Sequence, residues 1–574
     1  LLESQICFTI FFPYQRDDPL RILLTLVSIF LSTVAQADLL ITGGTIYTMN
    51  EHQPQVEAVL VRDDRIVFSG GLKAAQLLAK KPQMIHLKGR TMTPGIIESH
   101  GHLMSLGFSK LNLDLSGAGT YQDIVDQVAD AVAEAEPGQW ILGRGWHQSK
   151  WFPQPEMMVG GFQTHDSLSA VSPDNPVYLV HASGHAAMAN ARAMEIAGVH
   201  SETDFEGDGE IIKDAKLQPT GIFNEVAQRL ISTHVPPPDD SQRARALRLA
   251  LEELGANGIT SFQDAGTSRE DITLFKSFLK QKALSARVWV MLSGRDQELL
   301  LDWFRSGPEI GLGDERLTIR AIKLVADGAL GSRGAWLLEP YSDRPGHVGL
   351  PTMSVADMTR FSQRAFETNF QIGIHAIGDR GNREVLDIFD EIFDGKNQGV
   401  RFRVEHAQHL SAADIPRFGE LGVIASVQGI HMSSDRPWAI DRLGIERIEE
   451  GAYVWRKLWD TGAIVINGTD VPVEPINPIN SYYSLVTRQT LAGEPKGGFE
   501  PSQKLTRMEA LKTYTLDAAY GAFEEHLKGS IEQGKLADFT VFDQDLLTVP
   551  DNKILDTKVS MTIVGGKTVF DAAL

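Results

Sequence analysis

The stretch TPGIIESHGHL, Thr93 to Leu103, runs from a Pro-Gly pair through a short apolar segment into two histidines one residue apart. In a strand, residues two apart point to the same side, so His100 and His102 can converge on one point, with Gly101 keeping the backbone between them uncrowded. Taken alone, the pair fits either a metal site or a polar surface. Its context decides the fold. GIIESH (95–100) is the first of eight β-type runs, followed by GITSFQDA (258–265), ARVWVML (286–292), TIRAIKLVAD (318–327), FQIGIHAIG (370–378), VRFRVEHAQ (400–408), GVIASVQ (422–428) and AIVINGTD (463–470). Helical patterns such as ARALRLALEELGANG (244–258), SVADMTRFSQRAFETNF (354–370), GNREVLDIFDEIFD (381–394) and MEALKTYTLDAAYGAF (508–523) accompany them. Such alternation means βα units around a parallel sheet. Eight units fit an α/β fold of the (β/α)8 TIM-like barrel kind, with a doubly wound sheet as the alternative.

The two ends of the chain read differently. DLLITGGTIYTM (38–49), EAVLVRDDRIVFSG (57–70) and QMIHLKGRTMTP (83–94) are short β-type runs. Turn signals at Gly43-Gly44, Asp63-Asp64 and Gly70-Gly71 make them a small antiparallel sheet. GSIEQGKLADFTVFDQD (529–545) and VSMTIVGGKTVFD (559–571) repeat the pattern, and LLITGGTIYTM resembles MTIVGGKTVF. Chain termini normally lie close together, so both ends are expected to build one β-sandwich. The expected organisation is an upstream extension and signal peptide over 1–37, sandwich segments over 38–93 and 528–574, and a barrel over 94–527. An insertion at about 117–221 follows the first strand, longer than an ordinary βα loop.

A chain of 574 residues with 43% hydrophobic content reads as one large globular domain plus a smaller one. The formal net charge of −20 lacks the basic footprint of a nucleic-acid binder, so no nucleic acid is expected as a partner. Within PLRILLTLVSIFLSTVAQADLL, Arg21, the apolar run from Ile22 and the small residues before Asp38 form a signal-peptide pattern. Export to the periplasm or medium after cleavage at Ala37 is expected, with a cytoplasmic location as the alternative. The segment Ile22 to Val34 is shorter than the roughly 20 apolar residues that span a bilayer, so no stable membrane anchor is expected. Cys7, the only cysteine, lies upstream of that point. The mature chain would then have no disulfide, no thiolate catalyst and no cysteine-ligated metal.

Candidate ligands recur at equivalent places. His375 in QIGIHAIGDRG, His406 in FRVEHAQHL and Asp470 in AIVINGTDVPVEP each follow a β-rich run and precede a loop. In a parallel barrel those strand ends gather at the face where active sites are built. Four imidazoles and a carboxylate there suit zinc or a similar divalent ion. Lys323, in TIRAIKLVADGALGSR, is a lysine inside an apolar strand, where an unpaired ammonium is costly. Either it reacts with carbon dioxide to give a carbamate that bridges two metals, or it pairs with Asp327 or another carboxylate.

These motifs resemble the amidohydrolase superfamily, and within it the YtcJ-like branch of amidohydrolase family 3 that includes N-substituted formamide deformylases. The resemblance runs from Asp38 to the C-terminus. It rests on PGIIESHGHL, GRGWHQSKW, HASGHAAMANARAM, IKLVADGALGSRGAWL, IHAIGDRG, RVEHAQ and INGTDVPVEP. It implies that His100, His102 and Asp470 hold one metal, His375 and His406 a second, and carboxylated Lys323 bridges both, with a single-metal site as the alternative. The implied reaction is attack by metal-bound hydroxide on an amide, formamide or N-acyl carbonyl, with Asp470 shuttling the proton to the leaving nitrogen. A small amide-type substrate and one or two divalent ions, zinc first, are the implied ligands, and a homo-oligomer is compatible with the family.

His147 departs from the branch, whose members often carry Asp in the GWHQSKW motif. In the insertion, Trp146, Lys150, Trp151, His181 and His185 either wall a pocket or pack as a lid, with His185 the best candidate for a substrate contact. Arg333 either contacts substrate or braces its loop. The same metal site could serve ester, lactone or phosphoester hydrolysis, and an exported small-molecule binding protein without catalysis is the remaining alternative.

Overall fold

The computed structural model describes residues 38–148, 151–181, 186–205, 209–395 and 399–573. Its centre is a parallel sheet of eight strands, which we label β1 (Ile96–Gly101), β2 (Ile259–Thr267), β3 (Arg287–Ser293), β4 (Leu317–Val325), β5 (Gln371–Ala376), β6 (Arg403–His406), β7 (Ile424–Val427) and β8 (Val465–Asn467). Each pairs with its sequence neighbour in parallel, and a short strand at Glu309–Gly311 adds to β4 from outside. All eight expected runs form these strands. The sheet curls until its edges nearly close: Asp470 N donates to His100 O and His102 N to Val471 O, both at 2.8 Å. A nearly closed barrel is therefore present, and the doubly wound alternative falls.

Side-chain alternation sorts the barrel residues. Val288, Val290 and Leu292 of β3, Ile322 and Leu324 of β4, and Ile372 and Ile374 of β5 join the main core outside the barrel. The helices Asp240–Ala256 and Val355–Glu367 cover this layer, the second through Met358, Phe361 and Ala365. Their starts are written in sequence: Asp239 caps the first through a capping box with Gln242, and Ser354 accepts from Asp357 N in the second. The intervening strand residues, among them Trp289, Ala321, Lys323, Arg403 and Glu405, point inward, which places titratable groups inside the barrel.

Both chain ends meet, but in one continuous eight-stranded sheet and not as the two packed layers of the expected β-sandwich; the core of this sheet includes Ile41, Val59, Met92, Phe539 and Ile563. Two details correct the sequence reading. The sheet is mixed, because Leu39–Tyr47 runs parallel to Gln83–His86 and to Thr91–Pro94. The helix Leu72–Leu78 provides the crossover that a parallel pairing needs. Gly43-Gly44 is also no turn: it lies inside the strand Leu39–Tyr47, at a register shift. A Cβ at Gly43 would stand 2.3 Å from the His86 ring and one at Gly44 2.1 Å from Arg90 O, so close backbone approach dictates these glycines. The expected resemblance to Gly565-Gly566 is one of sequence, since that pair does join two antiparallel strands.

The insertion has its own six-stranded sheet, running from Leu113–Asp114 to Pro219–Glu225, slightly wider than the expected 117–221. Its core is separate and includes Tyr121, Ile124, Leu168, Leu179 and Ile222. Among the described residues no helix is long and apolar enough to cross a membrane. The expected signal peptide, 1–37, lies outside the described residues.

The end sheet is fastened to the barrel by a buried ion pair. Arg287, first residue of β3, donates to Asp538 at 2.7 and 3.0 Å, and both side chains are 3% exposed. Removing one partner leaves the other charge buried and uncompensated, which costs about 3–5 kcal/mol. Asp538→Ala is therefore expected to lower the urea midpoint of unfolding markedly; a midpoint within error of the parent would refute this role.

Candidate metal centre

Five strand ends deliver the centre. β1 brings His100 and then His102, β4 brings Lys323, β5 brings His375, β6 ends on His406, and Asp470 follows β8. Ligand atoms of His100, His406 and Asp470 lie within 4.8 Å of one another. Asp470 Oδ1 is 3.1 Å from His102 Nε2 and 3.6 Å from His100 Nε2. The His375 and His406 rings are 4.4 Å apart, and those of His100 and His406 4.8 Å. Lys323 Nζ lies 3.1 Å from His100 Nε2. All six expected ligand residues thus come together at one mouth. Gly101 permits the approach, since a Cβ there would stand 2.6 Å from the Phe262 ring. His406 and Asp470 adopt left-handed φ of 77° and 59°, sparsely populated backbone of the kind found at functional sites.

Partners outside the cluster orient the imidazoles. His102 Nδ1 faces the Ala265 carbonyl at 2.8 Å, which can only accept, so the proton sits on Nδ1 and the Nε2 lone pair turns inward. His100 Nδ1 meets Glu405 Oε2 at 2.5 Å, and His406 Nδ1 meets Gln428 Oε1 at 2.7 Å, giving the same orientation. Glu405 is braced in turn by fully buried Arg403, whose Nε is 2.7 Å from Oε1. Arg403 also donates to Ser99 O at 2.8 Å and to the Ser426 hydroxyl at 2.9 Å.

The charge states favour metal ligation. Burial pushes the His100 imidazole down to about 4 and that of His375 down to about 3, so both are neutral near pH 7. His406 is likewise held well below its ordinary range by burial. For His102 burial also opposes the charge, but the Asp470 carboxylate outweighs it and raises the imidazole. Burial would raise Asp470, yet His102 and His100 hold it well below the usual carboxylate range, as an ionised ligand.

The Nε2 lone pair of neutral His100 therefore faces an Asp470 oxygen at 3.6 Å, His102 Nε2 lies 3.1 Å from the same oxygen, and His375 Nε2 is buried without a hydrogen-bond partner. Acceptors so placed are stabilised by a cation between them, and this donor set fits a divalent ion. The alternative pairing of Lys323 with Asp327 is not what the structure shows. Asp327 instead accepts backbone N–H groups from Trp336 and Gly378 at 2.8 Å and from Ile377 at 3.0 Å. Burial lowers the Lys323 ammonium to about 8, with Glu405 and Asp470 opposing that shift.

The substrate candidates fare differently. Trp146 is buried in the insertion core, donating Nε1–H to Leu179 O at 2.9 Å, and packs tilted against Trp151 and edge-on against Phe162 and His181. That is the lid-packing role, shared by Trp151. His147 lies 4.6 Å from the His181 ring. His185 and Lys150 fall outside the described residues. Arg333 braces its loop, donating to both oxygens of Asp343 at 2.7 and 3.0 Å.

Sequence reasoning missed Glu405, Arg403, Gln428 and Glu98. A signal existed for three of them: charged residues within the β-type runs of β1 and β6, the same anomaly that marked Lys323.

Barrel, strand-end cluster and imidazole supports together define a metal-dependent hydrolase. A model of the amidohydrolase family matches residues 83–570, and the chain belongs to that family. It is 31% identical to the Protein LONG AFTER FAR-RED 3 of Arabidopsis thaliana, over 93% of this chain and 92% of that one. It is also 31% identical to the putative amidohydrolase YtcJ of Bacillus subtilis, over 92% and 98%. Identity to an N-substituted formamide deformylase of Arthrobacter pascens is 25%, over 92% and 97%. Among solved structures, an uncharacterized metal-dependent hydrolase from Pyrococcus horikoshii superposes with a TM-score of 0.74 at 26% identity, covering 90% of this chain and 99% of that one.

Outer partners of metal-bound histidines typically contribute about 10–100-fold to metal affinity. Glu405→Gln is accordingly expected to weaken metal retention against a chelator by about that factor, while circular dichroism stays that of the parent. Unchanged competition would show that Glu405 does not support the ligand set.

Proposed function

We propose that the chain hydrolyses a carbon–nitrogen bond outside peptides, in an amide, formamide or N-acyl compound, at a zinc centre of one or two ions. The bond type is supported by the resemblance, along nearly its whole length, to a formamide deformylase. One observation carries the reading: an ionised Asp470 whose Oδ1 lies among the inward-facing imidazole nitrogens. His100, His102 and Asp470 would hold one ion, and His375 and His406 a second, with Lys323 between them. A bound divalent ion supplies Lewis-acid polarisation of the carbonyl and lowers the pKa of water to about 7.

The chain's own groups handle the proton. Asp470 Oδ1 takes it from the attacking water and returns it to the departing nitrogen, so that a neutral amine leaves as the C–N bond breaks. The carboxylate suits both steps, since His102 and His100 keep it ionised beforehand and Asp470 N, tied to His100 O at 2.8 Å, fixes its direction. Positioned proton transfer typically contributes about 10²–10⁴-fold. Asp470→Asn is expected to lose turnover of N-formyl and N-acyl substrates by at least the lower figure while keeping much of its metal, measured by elemental analysis. Preserved turnover would remove Asp470 from that role.

Lys323 is suited to carbamate formation, in which the neutral amine adds carbon dioxide and releases a proton. With the ammonium lowered to about 8, roughly a tenth of it is neutral at pH 7, far more than for an ordinary lysine. Bicarbonate is expected to speed reconstitution of the metal-free protein, an effect that Lys323→Met abolishes. Reconstitution indifferent to bicarbonate would favour a plain ammonium and a single ion.

A further inference from the structure

The barrel mouth carries an acidic face that the metal centre does not use. The helix Gly429–Leu443 starts at the end of β7 and places His431 and Asp435 four residues apart, on one side. The His431 ring lies nearly parallel to that of His406, at 15° and 6.1 Å. It is 8% exposed, and its Nε2 is buried with no hydrogen-bond partner. One turn further, Asp435 Oδ2 accepts from Gln408 Nε2 at 2.8 Å and from the Tyr453 hydroxyl at 3.1 Å. Among the described residues nothing donates to its other oxygen.

Glu474 completes the face from β8. A turn in which Val473 N donates to Asp470 O at 2.8 Å brings it back to the mouth, where it sits beside Ser434 and acts electrostatically on His431, Asp435 and Asp470. Burial raises both Asp435 and Glu474 above the usual carboxylate range, and Asp435 and Asp470 push Glu474 further. Among the described residues no lysine or arginine pairs with either carboxylate. The adjacent Arg436 is taken by Glu500 at 2.8 Å.

Two half-buried carboxylates thus lie beside the reacting centre with no lysine or arginine paired to them among the described residues, and the His431 imidazole, whose Nε2 has no hydrogen-bond partner, is the group whose charge would favour theirs. Like charges in such surroundings are costly until a cation joins them. We propose that this face is a subsite for a protonated amine on the substrate, held a few atoms from the bond that is cut, so that mono-N-acylated diamines and similar basic amides are favoured substrates. The assignment of a substrate rests on the proposed C–N hydrolysis; the affinity for an ammonium group does not.

The test uses the metal-loaded full chain. Calorimetry with 1,4-diaminobutane and its uncharged counterpart 1,4-butanediol is expected to show binding of the diamine alone. Glu474→Gln and Asp435→Asn should each weaken that binding by about tenfold or more, since charge-assisted bonds are the strong ones. In turnover, N-acetyl-1,4-diaminobutane should exceed N-acetyl-4-aminobutanol by about tenfold or more in kcat/KM, and either variant should bring that ratio towards one. Equal binding of the two probes, or a preference that both variants leave intact, overturns the subsite. Diamine binding that depends on both carboxylates, without turnover of any amide, keeps the subsite and overturns the C–N reading. Turnover of neutral amides without diamine binding does the reverse.

Discussion

The side chain of Glu98 joins the first strand of the barrel to the last, and the active centre depends on that join. Its Oε1 accepts from His100 N at 3.1 Å and from Thr469 N at 2.8 Å, and its Oε2 meets the Thr469 hydroxyl at 3.0 Å. The residue is fully buried, and burial raises the carboxyl to about 8, so near neutral pH it is mostly uncharged and escapes the penalty of an isolated buried ion. Its position explains its importance. Thr469 precedes Asp470, and His100 is itself a candidate ligand, so the bond that closes the barrel also sets the distance between ligands from opposite edges of the sheet. A barrel opened by a fraction of an ångström at this seam would move Asp470 away from both His100 and His102.

Inside the closed sheet the titratable groups form a chain of mutual support rather than a set of separate ligands. Arg403 compensates Glu405, Glu405 fixes the proton on His100, and His100 then turns its Nε2 towards Lys323 and Asp470. Buried charges survive in such a series only where each has a partner and further hydrogen bonds. The two carboxylates near the centre take opposite states from Glu98 for a physical reason. Glu405 has a guanidinium against it and Asp470 has imidazoles, and both are held ionised, whereas Glu98 meets only backbone N–H groups and a hydroxyl.

Much of this was legible in the sequence. The barrel strands stood out because their outward residues are apolar and the helices between them carry period-3.6 patterns, both local properties. His100, His102, His375, His406 and Asp470 were legible because each closes such a run. What escaped is long-range. Gly43-Gly44 reads as a turn, yet its role is to admit the His86 ring from a neighbouring strand and the Arg90 carbonyl from the loop that follows it. Leu39–Tyr47 reads as antiparallel, yet its parallel partners arrive through a crossover. Arg333 gave no hint that Asp343 would claim it. Glu98 and Glu405 were visible as charged residues in β-runs, but their meaning lies in partners hundreds of positions away, and only the closed sheet brings those partners into range.

The same division separates chemistry from selectivity. Strand ends β1, β4, β5, β6 and β8 carry the candidate ligands, and their orientation is set by groups inside the barrel. The face formed by His431, Asp435 and Glu474 belongs to segments beyond β7 and β8. Its Asp435 is anchored by Gln408 and Tyr453, neither of which orients a ligand nitrogen. Asp435 can therefore change without displacing the centre, while His431, stacked on His406, and Arg403 and Glu405 reach into it directly. This follows from barrel architecture, in which a rigid sheet fixes reacting groups and the loops beyond it vary. It also accounts for a family whose fold identifies the reaction type more firmly than the molecule on which it acts.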